Sequence, residues 1–373
     1  MGFVCASDRK SENDKAYSQE IEAAVKETVL SKYSIKKQIL GKGHYGTVRK
    51  AVCRTTGKQF AIKKTSKHKL KLSLADILRE NKVLPTIHHP NIIKYYETLE
   101  DEKYFYEVME LATGSSLIGH QGEHDEVKVS RIMRSALSAV SYLHSKGIIH
   151  RDLKPNNFMF ASEDPNADVK LIDFGFARLV EQDEMLETRL GTPYYLAPEL
   201  IEKNYDFRSD YWSLGVMMHV LLVGKHPFEG GNISELLKAI RNEELDITGP
   251  EWDSISSEAK DLLKKLLTKN PYKRITAHEA LEHPWIKMSE NSTCADEKNH
   301  KIRREIPEAL STETLSDLDK GDAKIQLNLG NGSVRGTWMS ESEPSTGTAV
   351  ETRGKGLDNT LLDFCISNQN SDH

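Results

Sequence analysis

No run of apolar residues in this chain approaches the roughly 18 that a membrane-spanning helix needs, and no apolar core of a secretory signal is present. Cysteine is scarce. Cys5, Cys53, Cys294 and Cys365 lie far apart with no CxxC pair, which argues against a disulfide framework and a zinc site and points to a reducing compartment. Positive charge is not in excess either: 51 Lys and Arg against 56 Asp and Glu give a net charge of -5. A protein that tracks a phosphate backbone carries surplus cations, so nucleic acid is not expected as a partner. A cytoplasmic protein is the expectation.

What is present suits a soluble globular protein of 373 residues with polar extensions, 38% hydrophobic and 29% charged. Residues 1–32 form an N-terminal extension, polar at first and then weakly helical through Tyr17, Ile21, Val25 and Val29. Gly2 can accept myristate once Met1 is removed, and Cys5 can accept palmitate, which would give peripheral membrane association; Ala6 stands where that pattern has Ser or Thr. The alternative is an ordinary polar start.

From Tyr33 to about Trp285 the pattern is dense. Strand-like runs come first: Ser34–Leu40, Val48–Cys53, Gln59–Lys63 and Tyr104–Glu110. Helical patterns follow, with Ile132, Met133, Ala136, Leu137, Val140 and Leu143 on one face of a helix, and Leu262, Leu263, Leu266 and Leu267 on another. Strands before helices predict a small sheet-rich lobe followed by a larger helical one. Residues 287–373 are rich in Ser, Thr, Gly, Asp and Asn, cannot bury enough apolar surface to offset ordering entropy, and read as a mostly disordered tail.

Four short motifs carry the chemistry. GKGHYGTV offers Gly41, Gly43 and Gly46, whose missing Cβ atoms let a hairpin backbone lie against phosphates. A dinucleotide site would use the same letters but requires a helix next, whereas Thr47, Val48 and Val52 favour a strand. Lys63 closes the strand-like Ala61–Ile62–Lys63 and can reach α- and β-phosphates if a carboxylate holds it; Glu80, in the helical run Leu74–Leu84, is the candidate. HRDLKPNN supplies Asp152 to orient a hydroxyl and accept its proton, Lys154 to balance charge on a moving phosphate, and Asn157 as a neutral oxygen ligand for magnesium. DFG places Asp173 after the apolar Val169–Ile172, suited to Mg²⁺ bridging β- and γ-phosphates of ATP.

With these motifs in this order, residues 33–286 resemble a eukaryotic protein Ser/Thr kinase. That resemblance implies an α+β fold, bilobal, with a β-rich N-lobe over 33–111 and a helical C-lobe over 112–286. The runs GTPYYLAPE, AKDLLKKLL and EHPWI resemble the calcium/calmodulin-dependent group, and HPNIIK and YFY resemble the calcium-dependent protein kinases of plants and protists. The resemblance implies Met109 as gatekeeper, Glu110 to Ala112 as the adenine-binding hinge, and Leu40, Val48, Ala61 and Met159 around adenine. It also implies Thr192 near the acceptor, Glu199 paired with Arg274, and Asp210 supporting the catalytic loop. Arg151 before Asp152 implies a negative partner in the activation segment, with Thr188 a phosphorylation candidate and Glu184 or Glu187 able to supply charge unmodified.

Two departures stand out. The run after the hinge is TGSSL, and Asn156 precedes Asn157, where the family has Glu in both places. Selection for basic substrates is therefore expected to be weak. Protein substrates and a monomer are expected. A pseudokinase scaffold, the rival reading, predicts a missing Lys, metal Asp or catalytic Asp, and none is missing. A calcium-sensing module is the other rival, and it rests on DLDKGDAKIQLN. In Asp317–Asn328, Asp317 and Asp319 suit positions 1 and 3 of a calcium loop, but Asp322 replaces the turn glycine and Asn328 the bidentate Glu. That run is rejected as a site. The cluster Lys298, Lys301, Arg303 and Arg304 reads as a solvated linker rather than a calmodulin-binding element, because Pro307 limits a helix there.

Overall fold

Alternation builds the first lobe: along each strand, odd and even side chains go to opposite faces. In the computed structural model, which describes residues 29–42, 46–67, 84–118, 125–164, 166–180, 184–187 and 191–291, five strands form one antiparallel sheet. They are β1 (Tyr33–Lys42), β2 (Gly46–Cys53), β3 (Gln59–Ser66), β4 (Tyr95–Glu100) and β5 (Tyr104–Met109), in the order β1-β2-β3-β5-β4. One face buries Ala51, Cys53, Phe60, Ile62, Tyr106 and Val108 with Tyr33 and with Val29 of α1 (Val29–Lys32). The opposite face carries Ala61, Lys63, Glu107 and Met109. Directly opposed residues share a face, and the register pairs Lys63 with Val48 on one side and Glu107 on the other.

The second lobe is helical. Helix α2 (Glu126–Ser145) begins where the Asp125 carboxylate accepts the Lys128 N–H at 2.6 Å. Its apolar stripe, with Val129, Met133, Ala136, Leu137 and Val140 fully buried, packs into the main core. Glu126 accepts from Ser256 N at 3.0 Å and Trp285 Nε1 at 2.7 Å. It thus ties the start of α2 to two later helices. Two strand pairs lie between the first and later helices: β6 (Ile148–Ile149) with β9 (Arg178–Leu179), and β7 (Phe158–Phe160) with β8 (Val169–Leu171).

Helices α3 (Pro198–Ile201), α4 (Arg208–Val223), α5 (Ile233–Asn242), α6 (Ser257–Leu266), α7 (Ala277–Leu281) and α8 (Pro284–Asn291) complete the lobe. Helix α4 is buried on every side from Ser209 to Val223 and ends at Gly224, whose φ of 73° closes the helix in the left-handed region. Among the described residues no helix is long and apolar enough to cross a membrane. The fold class expected from the strand-then-helix pattern is observed. Gly2, Cys5, Gly43, Glu80, Thr188, the basic cluster at 298–304 and Asp317–Asn328 lie outside the described residues.

Candidate active site

The β1–β2 hairpin and the site face of the sheet form one wall. Gly46 opposes Thr65 so closely that a Cβ on it would sit 2.0 Å from the Lys64 carbonyl oxygen, so only glycine permits that approach. Gly41 faces open space, with nothing within 4 Å of where its Cβ would be. Beside it Leu40 is 41% exposed, an uncovered apolar side chain at the mouth of the hairpin. Gly46 is followed by β2 and not by a helix, as the Thr and Val residues predict. Val48, Ala61, Lys63 and Met109 share the face below through their cross-strand register.

Met109 ends β5, and Glu110 to Ala112 lead out of the sheet. Glu110 is fastened in two ways. Its N–H donates to the Lys94 carbonyl at 2.8 Å, and its Oε2 accepts from Lys94 N at 3.1 Å and lies 3.2 Å from Lys170 Nζ. Past the hinge, Leu117 N donates to Phe158 O and Phe160 N to Ser115 O, both at 3.0 Å, so TGSSL runs as backbone pairs along β7. Ser116 bridges Met159 there.

The catalytic-loop candidates lie between β6 and β7. Asp152, Lys154 and Asn157 are each buried. Thr192 donates its hydroxyl to Asp152 Oδ1 at 2.9 Å while accepting from Lys154 Nζ at 2.7 Å. Lys154 Nζ also lies 2.9 Å from Asp152 Oδ2. Asn157 Nδ2 donates to the Asp152 carbonyl at 2.7 Å and to Oδ2 at 3.1 Å. The carboxylate is thus held from both sides by a hydroxyl, an ammonium and an amide. Below it, His150 donates from Nε2 to the Asp173 carbonyl at 2.6 Å and accepts the Asp152 N–H on Nδ1 at 3.3 Å. Phe174, 2% exposed, meets His150 edge-on with ring centres 5.4 Å apart.

Asp173 reaches the sheet wall, where its Oδ1 lies 3.3 Å from Lys63 Nζ and accepts from Gly175 N at 3.2 Å. Burial raises the Asp173 carboxyl, but the Lys63 ammonium, the Gly175 N–H and the nearby His150 overcome that and hold it below the usual range. The set suits a hard divalent cation. Asp173 is ionised, and Asn157 spends its amide nitrogen on Asp152, leaving Oδ1 as its ligand atom. The Ile172 N–H donates to the Asn157 carbonyl at 2.9 Å, joining the two candidate ligands through the end of β8. No group of three or more His, Cys, Asp or Glu that could hold a metal occurs among the described residues. An Asp and an Asn alone suit a divalent cation that takes its remaining ligands from phosphates and water.

Asp210 holds the loop from behind. Fully buried, it accepts from His150 N and Arg151 N, each at 2.9 Å, and from His144 Nε2 at 2.8 Å. Glu199 and Arg274 form a buried two-point pair at 2.5 and 2.9 Å. Arg151 Nε donates to Phe176 O at 2.6 Å. In the segment beyond, Glu184 pairs with Arg178 of β9, Glu187 is exposed, and Leu186 exchanges backbone bonds with Tyr205.

One residue of this site escaped the sequence reading. Glu107 is 2% exposed, with Oε2 at 3.6 Å from Lys63 Nζ. Its signal was available in YFYEVM: Phe105 and Met109, two positions either side, are both buried apolar residues. A carboxylate on that alternation must be buried and needs a cation nearby.

A family model described as "Protein kinase domain" matches residues 34–286. The chain is 41% identical over 270 residues to calcium-dependent protein kinase 3 of Plasmodium yoelii yoelii, covering 71% of this chain and 50% of that one. It is 37% identical over 270 residues to a calcium/calmodulin-dependent serine/threonine-protein kinase 1 of Oryza sativa subsp. japonica, covering 70% and 45%. Against calcium/calmodulin-dependent protein kinase type II of Caenorhabditis briggsae the identity is 33% over 351 residues, covering 91% and 66%. The chain spans about half the length of the first of these relatives.

Proposed function

Because the chain belongs to the protein kinase family, with residues 34–286 forming its kinase domain, we propose that it transfers the γ-phosphate of Mg-ATP to Ser or Thr hydroxyls of protein substrates. The observation that carries this reading is the saturation of Asp152 by Thr192, Lys154 and Asn157, which leaves one fixed carboxylate beside a fixed ammonium. That arrangement supports proton acceptance from an incoming hydroxyl at Asp152 and charge balance on the transferring group at Lys154.

The remaining roles are assigned from position where the structure describes the residue, and for Gly43 and Glu80 from the sequence motifs alone. Leu40, Gly41, Val48, Ala61, Met109 and the backbone of Glu110 to Ala112 bind adenine and cover the nucleotide, with Gly46 in the covering hairpin and Gly43 taken with it from the GKGHYGTV motif. Glu110 contributes backbone alone, since its side chain is engaged by Lys94 and Lys170. Lys63 takes the α- and β-phosphates, with Glu80 as its carboxylate partner. Asn157 and Asp173 would hold Mg²⁺, which would supply neutralisation of phosphate charge. Asp210 and His150 hold the loop's shape, and Asp152, Lys154 and Thr192 are themselves buried.

The relatives are named for calcium or calmodulin. In this chain the run Asp317–Asn328 has Gly321 where a calcium loop needs an oxygen ligand and Asn328 where it needs a bidentate Glu, so calcium is proposed not to act through it. Negative charge at Glu187 or on Thr188 is proposed to order the activation segment around Arg151. A cytoplasmic monomer, with membrane association through Gly2 and Cys5, completes the reading. Incorporation of labelled phosphate from Mg-ATP, with Asp173→Asn as the inactive control and with calcium, chelator or calmodulin added, tests it: no transfer by the parent chain overturns it.

A further inference from the structure

We propose that Glu107 is a positioning residue for Lys63, a carboxylate built into the sheet that holds the lysine at the phosphate end of the site. The inference rests on the kinase reading above and deepens it at one residue. Three observations carry it. The β3–β5 ladder sets Lys63 directly opposite Glu107, so the two side chains leave the sheet on one face as cross-strand neighbours. The Glu107 side chain is 2% exposed and Lys63 11%, and their charged atoms lie 3.6 Å apart. Glu107 is also two residues before Met109, so the strand that leads into the hinge carries it.

A carboxylate so buried is not tolerated without a nearby positive charge and polar partners. Lys63 is placed to meet that need, and it lies between Glu107 and Asp173. The two carboxylates differ in what they are attached to. Asp173 belongs to a segment after β8, in the other lobe, and is a metal-ligand candidate. Glu107 belongs to the same sheet as Lys63 and is fixed to it by paired backbone. A lysine has a long flexible stem, and a partner on the next strand orders that stem before any phosphate arrives. Glu107 thus makes the position of Lys63 a property of the sheet itself.

This role separates from simple core packing because it acts only on the phosphates. Calorimetric titration of the full chain with Mg-ATP and with adenosine, which lacks phosphates, reads the difference. For Glu107→Gln, affinity for Mg-ATP is expected to fall about tenfold, as when one charge-assisted contact loses its alignment, while adenosine binding stays within about twofold. In a Lys63→Met background the same change should cost no further ATP affinity. Equal weakening of both ligands, or an unchanged ATP affinity, overturns the proposal. A parent chain that binds no Mg-ATP overturns the kinase reading instead, and so the two failures are distinguishable.

Melting temperature gives a second arm that does not depend on the Gln variant folding well. Lys63→Met should lower it, by leaving the Glu107 carboxylate buried without its cation. Adding Glu107→Leu to Lys63→Met should raise it again. A further fall in the double variant contradicts the pairing.

Discussion

Asp210 accepts the backbone N–H of Arg151 at 2.9 Å, and Arg151 has a φ of 69°, a left-handed conformation that side chains other than glycine rarely adopt. The strained residue immediately precedes Asp152, and a second bond from His150 N to the same carboxylate fixes the turn on both sides. Burial raises the Asp210 carboxyl, but His144, His150 and these hydrogen bonds outweigh it and keep the group below its ordinary range. Both oxygens are therefore acceptors.

Asp210→Asn keeps the size and removes one acceptor, since an amide nitrogen cannot receive an N–H. The catalytic loop then relaxes at His150 or Arg151, at a cost of about 1–3 kcal/mol. Expected in steady-state kinetics is a fall in kcat of about tenfold or more with KM for ATP nearly unchanged. A variant with parental kcat contradicts the positioning role.

Glu199 and Arg274 make a buried ion pair, with the arginine side chain fully buried. Arg274 also donates to the carbonyls of Thr268, Lys269 and Arg208. Arg274→Ala strands a buried carboxylate and should cost about 3–5 kcal/mol in urea unfolding. Arg274→Met with Glu199→Leu should cost less than Arg274→Ala alone.

His219 and His226 are buried, and burial lowers them to about 4 and about 3 respectively. A histidine whose folded value lies below its unfolded one contributes no pH dependence above about 6.5. Below that, the unfolded chain takes up the proton first, so stability falls as pH drops toward 4. At pH 5.5 each contributes a loss on the order of 1 kcal/mol. In thermal melts, His226→Phe, which keeps the stack on Tyr194, should show a smaller loss between pH 7 and 5.5 than the parent.

Legibility followed locality. The catalytic loop and Asp173 were readable because each job needs residues adjacent in sequence. Strand β4 was not: none of its residues is fully buried, so YYETLE shows little alternation. Helix α4 was not legible as a helix, because one buried all round has no polar face to mark its period. Glu107 needed the register of two strands, which a single sequence does not display. The Lys63–Asp173 contact, between residues 110 positions apart, likewise exists only after the lobes meet.

Weak selection for basic substrates is expected from two missing carboxylates. Ser116 and Asn156 stand where acidic residues would attract a substrate arginine, and Asn156 Oδ1 is buried with no hydrogen-bond partner. A peptide array should show weak selection for Arg three residues before the acceptor. Ser116→Glu should raise kcat/KM for such peptides by about fivefold, the worth of roughly 1 kcal/mol of charge pairing. Strong selection by the parent chain contradicts this.

In the proposed reaction Asp152 accepts the hydroxyl proton and Asp173 is a metal ligand, so phosphoryl transfer depends on both carboxylates. The direct measurement is transfer of label from γ-labelled Mg-ATP to Ser/Thr peptides by the full chain, alongside Asp152→Asn and Asp173→Asn. Expected are phosphoserine or phosphothreonine from the parent, and a loss of about a hundredfold or more in each variant. Folded parent protein that binds Mg-ATP but transfers no phosphate would contradict it, and would leave a nucleotide-binding scaffold in its place.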